Sequence, residues 1–292
     1  MVEILIGIAI LGGLGLIFGL VLAAASKVFY VETDPRLDLL NEALPGANCG
    51  GCGYAGCAGY AEAVLKGEAP IGLCASGGTE AAVAMGSVMG VKVEEVARKV
   101  ALVRCSGYRS TDDSGKEIGA KLKAEYEGFL DCMAASKVGG NGPLSCKFGC
   151  LGFGNCVKAC QYDAIHVVDG VAKVDREKCR GCMACAAACP RGLIVPVDYD
   201  KHTVIACNSE AKGAVTVRGC TQGCIGCGIC LKICPHDAIK IEKNLAVIDY
   251  SLCTSCGLCA AVCPKKLIAS PVDTPADVLK IVQEHMKRAK TK

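Results

Sequence analysis

The chain has 292 residues, with no Trp, five Phe, 36 Gly and 24 Cys, and a formal net charge of +3. Its length allows two or three domains, but so few aromatic side chains exclude one large conventional core, and small cysteine-rich modules then depend on disulfides or metal. The near-neutral charge, with no basic stripe, excludes a nucleic-acid partner.

The first predicted element is a transmembrane anchor over residues 1–27. Ile4 to Ala25 carries no charge and lies between Glu3 and Lys27; at 1.5 Å per residue it spans about 33 Å, enough for a hydrocarbon core of about 30 Å. Ala23-x-Ala25 resembles a signal-peptide cleavage site, but the residues before the apolar run include Glu3 and neither Lys nor Arg, the opposite of a signal n-region. Lys27 favours its own end on the inner side. Gly15-x3-Gly19 reads as a helix-packing face, because no strand precedes it to make a dinucleotide loop.

Residues 28–104 are expected to form a small, mainly helical domain around one [4Fe–4S] cluster. A charged neck, Val31 to Asp38, leads to a short helix over 39–44 that Pro45-Gly46 ends. Cys49, Cys52 and Cys57 follow in a glycine-dense stretch, and Cys74 returns from a loop after Pro70. Glycine lets backbone wrap closely round a cluster and aim N–H groups at its sulfurs. Residues 58–65 and Thr79 to Arg104 are predicted helical.

Residues 105–143 read as a linker or helical segment with two extra cysteines, Cys105 and Cys132. Residues 144–198 are predicted as a first two-cluster ferredoxin-like module and 199–271 as a second. The second is the cleaner. Cys224, Cys227, Cys230 and Cys234-Pro235 form one bacterial ferredoxin run, and Cys253, Cys256, Cys259 and Cys263-Pro264 the other. In such pairs the fourth Cys of each run crosses to the other cluster. The predicted sets are therefore Cys224, Cys227, Cys230 with Cys263, and Cys253, Cys256, Cys259 with Cys234. Residues 238–241 and 246–248, around Lys243-Asn244, read as a hairpin between the runs.

In the first module Cys179, Cys182, Cys185 and Cys189-Pro190 are complete, with Cys160 as the crossing ligand. The partner run is not. Residues 149–156 align with 223–230, and Phe153 stands where Cys227 stands. Cys150, Cys156 and Cys189 are left with an open corner, for which Cys146 is the candidate; a three-iron cluster or a non-Cys ligand is the alternative. Cys105, Cys132, Cys207 and Cys220 remain, one cluster's worth, and are candidates for a sixth set or else free buried thiols. Cys220 is in register with Cys146, which fits that sixth set equally well.

Disulfides and zinc are poorer readings. Repeated C-x2-C runs ending in Cys-Pro suit cluster cradles better than disulfide frameworks, and zinc would usually bring His ligands. His166, His202, His236 and His285 lack ligand spacing. There is no P-loop and no Rossmann strand–turn–helix, so a nicotinamide would bind elsewhere. Residues 272–292 are predicted as a helix starting at Thr274-Pro275-Ala276-Asp277, amphipathic through Met286, with a basic tail. Lys147, Lys158, Arg176, Lys178, Arg180 and Arg191 form a basic collar on the first module, suited to an acidic protein partner or simply to solubility.

An N-terminal apolar helix, the stretch from Cys49-Gly50-Gly51-Cys52-Gly53-Tyr54 to Gly56-Cys57, the returning Cys74 and then ferredoxin runs resemble the B subunit of the Rnf complex, over essentially the whole chain. That complex is the membrane ferredoxin:NAD+ oxidoreductase that pumps Na+ or H+. The resemblance implies an electron-transfer subunit with five [4Fe–4S] clusters, and the extra cysteines that longer members carry leave room for a sixth without settling its ligands. It implies soluble ferredoxin as electron donor, other membrane subunits and the lipid bilayer as partners, and no organic chemistry in this chain. It places the protein at the bacterial inner membrane by one N-terminal span, with its cluster domains in the cytoplasm, where thiols stay reduced. The fold class expected is α+β: a transmembrane helix, a helical cluster domain and two tandem ferredoxin-like modules. The alternatives are an iron–sulfur subunit of another membrane oxidoreductase, such as a hydrogenase or the system that resets a redox-sensing transcription factor, and a zinc-holding assembly protein.

Overall fold

The computed structural model describes residues 2–28, 34–93, 97–111, 115 and 117–270. Helix α1 (Val2–Val28) comes first. Its described apolar side chains, among them Leu11, Leu16, Phe18 and Leu22, are exposed, and a Cβ built on Gly15 or Gly19 meets nothing within 4 Å. Among the described residues no helix is long and apolar enough to cross a membrane, which corrects the expected transmembrane anchor. The predicted C-terminal helix and basic tail, and residues 31–33 of the neck, lie outside the described residues.

The next unit is helical, in line with its sequence. Helix α2 (Pro35–Glu42) starts earlier than expected because Asp34 caps it, accepting from the Arg36 N–H at 2.9 Å with Pro35 in the first turn. It packs with α3 (Cys57–Leu65) and α4 (Gly78–Met89) around Leu40, Tyr60, Val64 and Met85. The predicted long helix from Thr79 ends at Gly90, which takes φ +69° as its C-cap. The β-branched stretch beyond it forms strand β1 (Lys99–Val103) instead.

Two short strands, β2 (Ser110–Thr111) and β3 (Glu117–Ile118), pair as a small hairpin, and α5 (Cys132–Lys137) follows with Asp131 as its cap. The first module then runs α6 (Asn155–Lys158), the hairpin β4 (Ile165–Val168) and β5 (Val171–Val174), α7 (Ala184–Ala187) and β6 (Ile194–Asp198). The second runs β7 (Val204–Ile205), α8 (Gly213–Gly219), α9 (Ile229–Ile233), the hairpin β8 (Ile239–Glu242) and β9 (Leu245–Ile248), α10 (Leu258–Val262) and β10 (Ile268–Ala269). β1 pairs antiparallel with β6, Val103 opposite Ile194, and β7 pairs the same way with β10, Ile205 opposite Ile268. Each module is thus closed by a strand that precedes its cysteine runs, so β1, outside the expected 144–198, completes the first.

The four cysteine runs share one backbone. Counting from its first cysteine, each has left-handed residues at the third, fifth and fourteenth positions: Gly152, Gly154 and Asp163; Gly181, Met183 and Gly192; Gly226, Gly228 and Asp237; Ser255, Gly257 and Lys266. The fifth residue starts a one-turn helix that buries the run's penultimate cysteine, Cys156, Cys185, Cys230 or Cys259. A non-glycine residue pays about 1–2 kcal/mol to be left-handed, and Met183, Ser255 and Lys266 all do so. The loop shape is therefore held by what surrounds it, not by residue type alone.

Candidate metal centres

Among the described residues no group of three or more His, Cys, Asp or Glu side chains closes on a point that could hold a single metal ion. A zinc ion would need its thiolates about 2.3 Å from one centre. All 24 cysteines are free, and they gather in fours around larger spaces.

The first set is Cys49, Cys52, Cys57 and Cys74, lining a cavity of about 360 Å³. Asn48 shapes its loop, accepting from the Cys57 N–H at 2.8 Å and donating to the Gly46 carbonyl at 3.2 Å. Buried Tyr60 pins the returning loop: its hydroxyl donates to the Pro70 carbonyl (2.9 Å) and accepts from the Leu73 N–H (3.1 Å). The Gly77 N–H donates to Cys74 Sγ at 3.4 Å. Burial pushes the Cys74 thiol up, and Cys57, Cys49 and Cys52 add to it.

In the second set Cys185 has Cys179, Cys182 and Cys160 as its electrostatic neighbours, and burial pushes it up to about 11. The Ala101 and Ala164 N–H groups donate to Cys179 and Cys160, each at 3.4 Å. In the second module, Cys224, Cys227 and Cys263 surround Cys230, while Cys234, Cys253, Cys256 and Cys259 line a cavity of about 320 Å³. These three groupings have the memberships expected from the crossing rule.

The structure exchanges two thiols relative to expectation. Cys132, not Cys146, joins Cys150, Cys156 and Cys189 around a cavity of about 410 Å³. The reason is the ordering of residues 131–137. Asn155, two residues past Phe153, accepts from the Cys132 N–H at 2.8 Å and donates to Asp131 at 2.6 Å. This fixes the start of α5 over the open corner. Phe153 packs on Tyr126 instead, ring centroids 5.2 Å apart. Burial pushes Cys156 up to about 12, with Cys150, Cys132 and Cys189 adding to it.

Cys146 lies with Cys105, Cys207 and Cys220 around a cavity of about 330 Å³. This grouping straddles the two modules symmetrically. Cys105 follows β1 and Cys207 follows β7, each two residues past the strand, while Cys146 and Cys220 each precede their module's first run by four. The Cys150 N–H donates to Cys105 Sγ at 3.4 Å, and its counterpart, the Cys224 N–H, donates to Cys207 Sγ at 3.3 Å. Burial pushes Cys105 up to about 12 and Cys220 up to about 11.

Each set contains at least one thiol that burial pushes up, and thiols crowded in fours disfavour several thiolates at once unless a cation sits among them. Peptide N–H groups aimed at sulfur and thiols gathered in fours fit a [4Fe–4S] cluster, which takes four thiolates.

Comparison with known proteins agrees with this donor set. Residues 44–76 match a family model described as a putative Fe-S cluster, 171–194 a 4Fe-4S binding domain, and 223–267 a 4Fe-4S dicluster domain. The chain is 41% identical to the B subunit of the Na(+)-translocating ferredoxin:NAD(+) oxidoreductase complex of Acetobacterium woodii, over 86% of this chain and 73% of that one. It is 41% identical to the B subunit of the proton-translocating ferredoxin:NAD(+) oxidoreductase complex of Clostridium ljungdahlii, over 82% of each. It is 40% identical to the B subunit of an ion-translocating oxidoreductase complex of Methanosarcina acetivorans, over 84% of this chain and 90% of that one.

Proposed function

The chain belongs to the B-subunit family of ion-translocating ferredoxin:NAD(+) oxidoreductase complexes, and on that premise we propose that its 24 cysteines hold six [4Fe–4S] clusters in a single row. It is an iron–sulfur electron-transfer subunit of such a complex, whose other subunits are its partners. The bound clusters supply one-electron carriers, with potentials set by charge, hydrogen bonds to sulfur and exposure.

The observation that carries the single row is that each set is linked to the next. Cys182 of the second set lines the cavity of the first. Cys185 of the second is an electrostatic neighbour of Cys156 in the third. Backbone donors of Cys150 and Cys224 join the third and fifth sets to the fourth. Cys230 of the fifth neighbours Cys259 of the sixth. The chain's own work is to hold thiolates, to aim amides at them and to keep neighbouring sets in contact.

Soluble ferredoxin is the proposed donor. Lys147, Lys158 and Arg180 are exposed on the first module and suit an acidic surface. The other members of the expected collar are engaged within the chain: Arg176 with the carbonyls of Asp198, Tyr199 and Lys201, Lys178 with Asp163 at 3.2 Å, and Arg191 with carbonyls near Cys146. The exposed apolar side chains of α1 support contact with other subunits of the complex and with lipid, and 24 reduced thiols suit the cytoplasmic side. Coupling fits the scale of such chemistry: a two-electron drop of about 100 mV releases roughly 4.6 kcal/mol, against about 2.3 kcal/mol to move one charge through 100 mV.

Anaerobically purified protein is expected to hold roughly 24 iron and as many acid-labile sulfide atoms; finding zinc without sulfide would end this reading. Cys132→Ser should lower the count by about four iron atoms, and adding Phe153→Cys should restore it by rebuilding the standard run. If Cys146→Ser, and not Cys132→Ser, is the variant that Phe153→Cys rescues, the third and fourth sets are wrongly drawn.

Acidity gives a further expectation. Every resolved thiol shift is upward, so the folded apo-chain keeps these protons and iron must displace them. Reconstitution should therefore improve from about pH 7 to about pH 9 and fail on acidification, as read from iron bound per chain.

A further inference from the structure

Two cations occupy matched positions at the ends of the modules, in Cys189-Pro190-Arg191 and Cys263-Pro264-Lys265. Arg191 folds back so that its guanidinium donates to the carbonyls of Cys146 (3.3 Å), Gly149 and Asn141. Lys265 Nζ donates to the carbonyl of Thr221, the residue after Cys220, at 3.1 Å. Both side chains are half-buried. Neither takes part in any of the ion pairs among the described residues. Their hydrogen bonds go to carbonyls, so among the described residues each brings one unneutralised positive charge beside the fourth set, one from each module, with Arg191 also lining the third set's cavity.

Among the charged neighbours of Arg191 the Cys146 thiol comes first, then Cys150, Cys105 and Cys189. Burial disfavours its charge, but a guanidinium keeps its proton in proteins. A fixed cation in a half-buried site is screened far less than one at the surface. It stabilises whichever redox state of its neighbour is more negative, which is the reduced one.

We propose that Arg191 and Lys265 are a pseudo-symmetric pair of potential-setting residues, whose charges raise the reduction potential of the cluster held by Cys105, Cys146, Cys207 and Cys220. The bridge between the modules is then easier to reduce than its thiols alone would make it, and electrons cross it in either direction. This rests on the six-cluster reading, and iron counting separates the two: a native count well short of 24 overturns both, whereas a full count leaves the charge pair to be judged on potentials.

The test is an EPR-monitored redox titration of the full-length protein. The component to follow is the one that Cys220→Ser abolishes. In Arg191→Gln and in Lys265→Gln it should move to lower potential, by a change of about tenfold in its reduction equilibrium, about 59 mV for one electron. The double variant should move it further, and Arg191→Lys should restore most of the shift. Full iron with unmoved potentials in both Gln variants overturns the proposal. So does an Arg191→Lys shift equal to that of Arg191→Gln, which would make the guanidinium a structural clasp. If Arg191→Gln fails to load its iron, Lys265→Gln decides alone, since it removes a single hydrogen bond.

Discussion

Cys220→Ser should cost the protein about four of its roughly 24 iron atoms and divide it electrically into two halves. Cys220 is buried at 6% exposure in the cavity shared by the modules, and serine offers a harder, weaker ligand to iron than thiolate does. The remaining cavities take nothing from Cys220. The first three sets lie on one side of the bridge and the last two on the other, and the Cys150 and Cys224 N–H groups tie each side to it through Cys105 and Cys207. With the bridge empty, the third and fifth sets are left with no carrier between them. Dithionite should still reduce both halves. Electron exchange between them should fall to background, and the magnetic coupling of the third and fifth clusters to the fourth should vanish from the EPR spectrum. Cys256→Ser is the control: it lies exposed at the far end of the row, so it should cost similar iron and leave the first five sets in exchange. A Cys220→Ser protein with full iron, or one whose halves still equilibrate at the native rate, would refute the bridge.

Why that bridge was only half legible follows from how its cysteines are spaced. Within a run, four thiols lie within eleven residues, and period alone gives their sets, as for Cys253 to Cys263. The bridge draws one thiol from the end of each of two strands and one from just before each module's first run. Cys105 and Cys207 lie about a hundred residues apart, and only the pairing of β1 with β6 and of β7 with β10 makes them equivalent. A signal was present: an apolar strand, one residue, then cysteine, in Val103-Arg104-Cys105 and Ile205-Ala206-Cys207. Read together with the register of Cys146 and Cys220, it points to a twofold set. Cys132 had no such signal, since it depends on Asn155 holding Asp131 and the start of α5. The first segment differs from expectation for another reason. Composition alone makes Ile4 to Ala25 a spanning helix, whereas among the described residues no helix is long and apolar enough to span. In the same way, propensity extends the helix from Thr79 past Gly90, where the backbone turns left-handed and a strand takes over.

The other end of the row hangs on a glycine. Gly51→Ala is expected to keep the iron of the first set yet slow its exchange with the second at least severalfold. Gly51 is not left-handed, so alanine fits its backbone. Its difficulty is outside the loop: a Cβ there would stand 2.4 Å from the Cys182 carbonyl oxygen, 3.2 Å from its carbon and 3.4 Å from its Cα. These are backbone atoms of the second set's own loop, and they cannot swing aside as a flexible side chain would. The first domain must then retreat by about 1 Å to recover an ordinary contact of about 3.5 Å. The same junction brings Cys49 near Cys182 and places Tyr162 among Cys182, Cys49 and Cys74, so the retreat opens the gap that electrons must tunnel through. Flash photoreduction of the isolated chain, following the first set's signal, measures the exchange. Gly59→Ala, in α3 with nothing within 4 Å of the added carbon, should leave it unchanged. Equal rates in both variants would mean that electrons reach the first set by a route that does not pass Cys182, and the order of the row would have to be redrawn from that end.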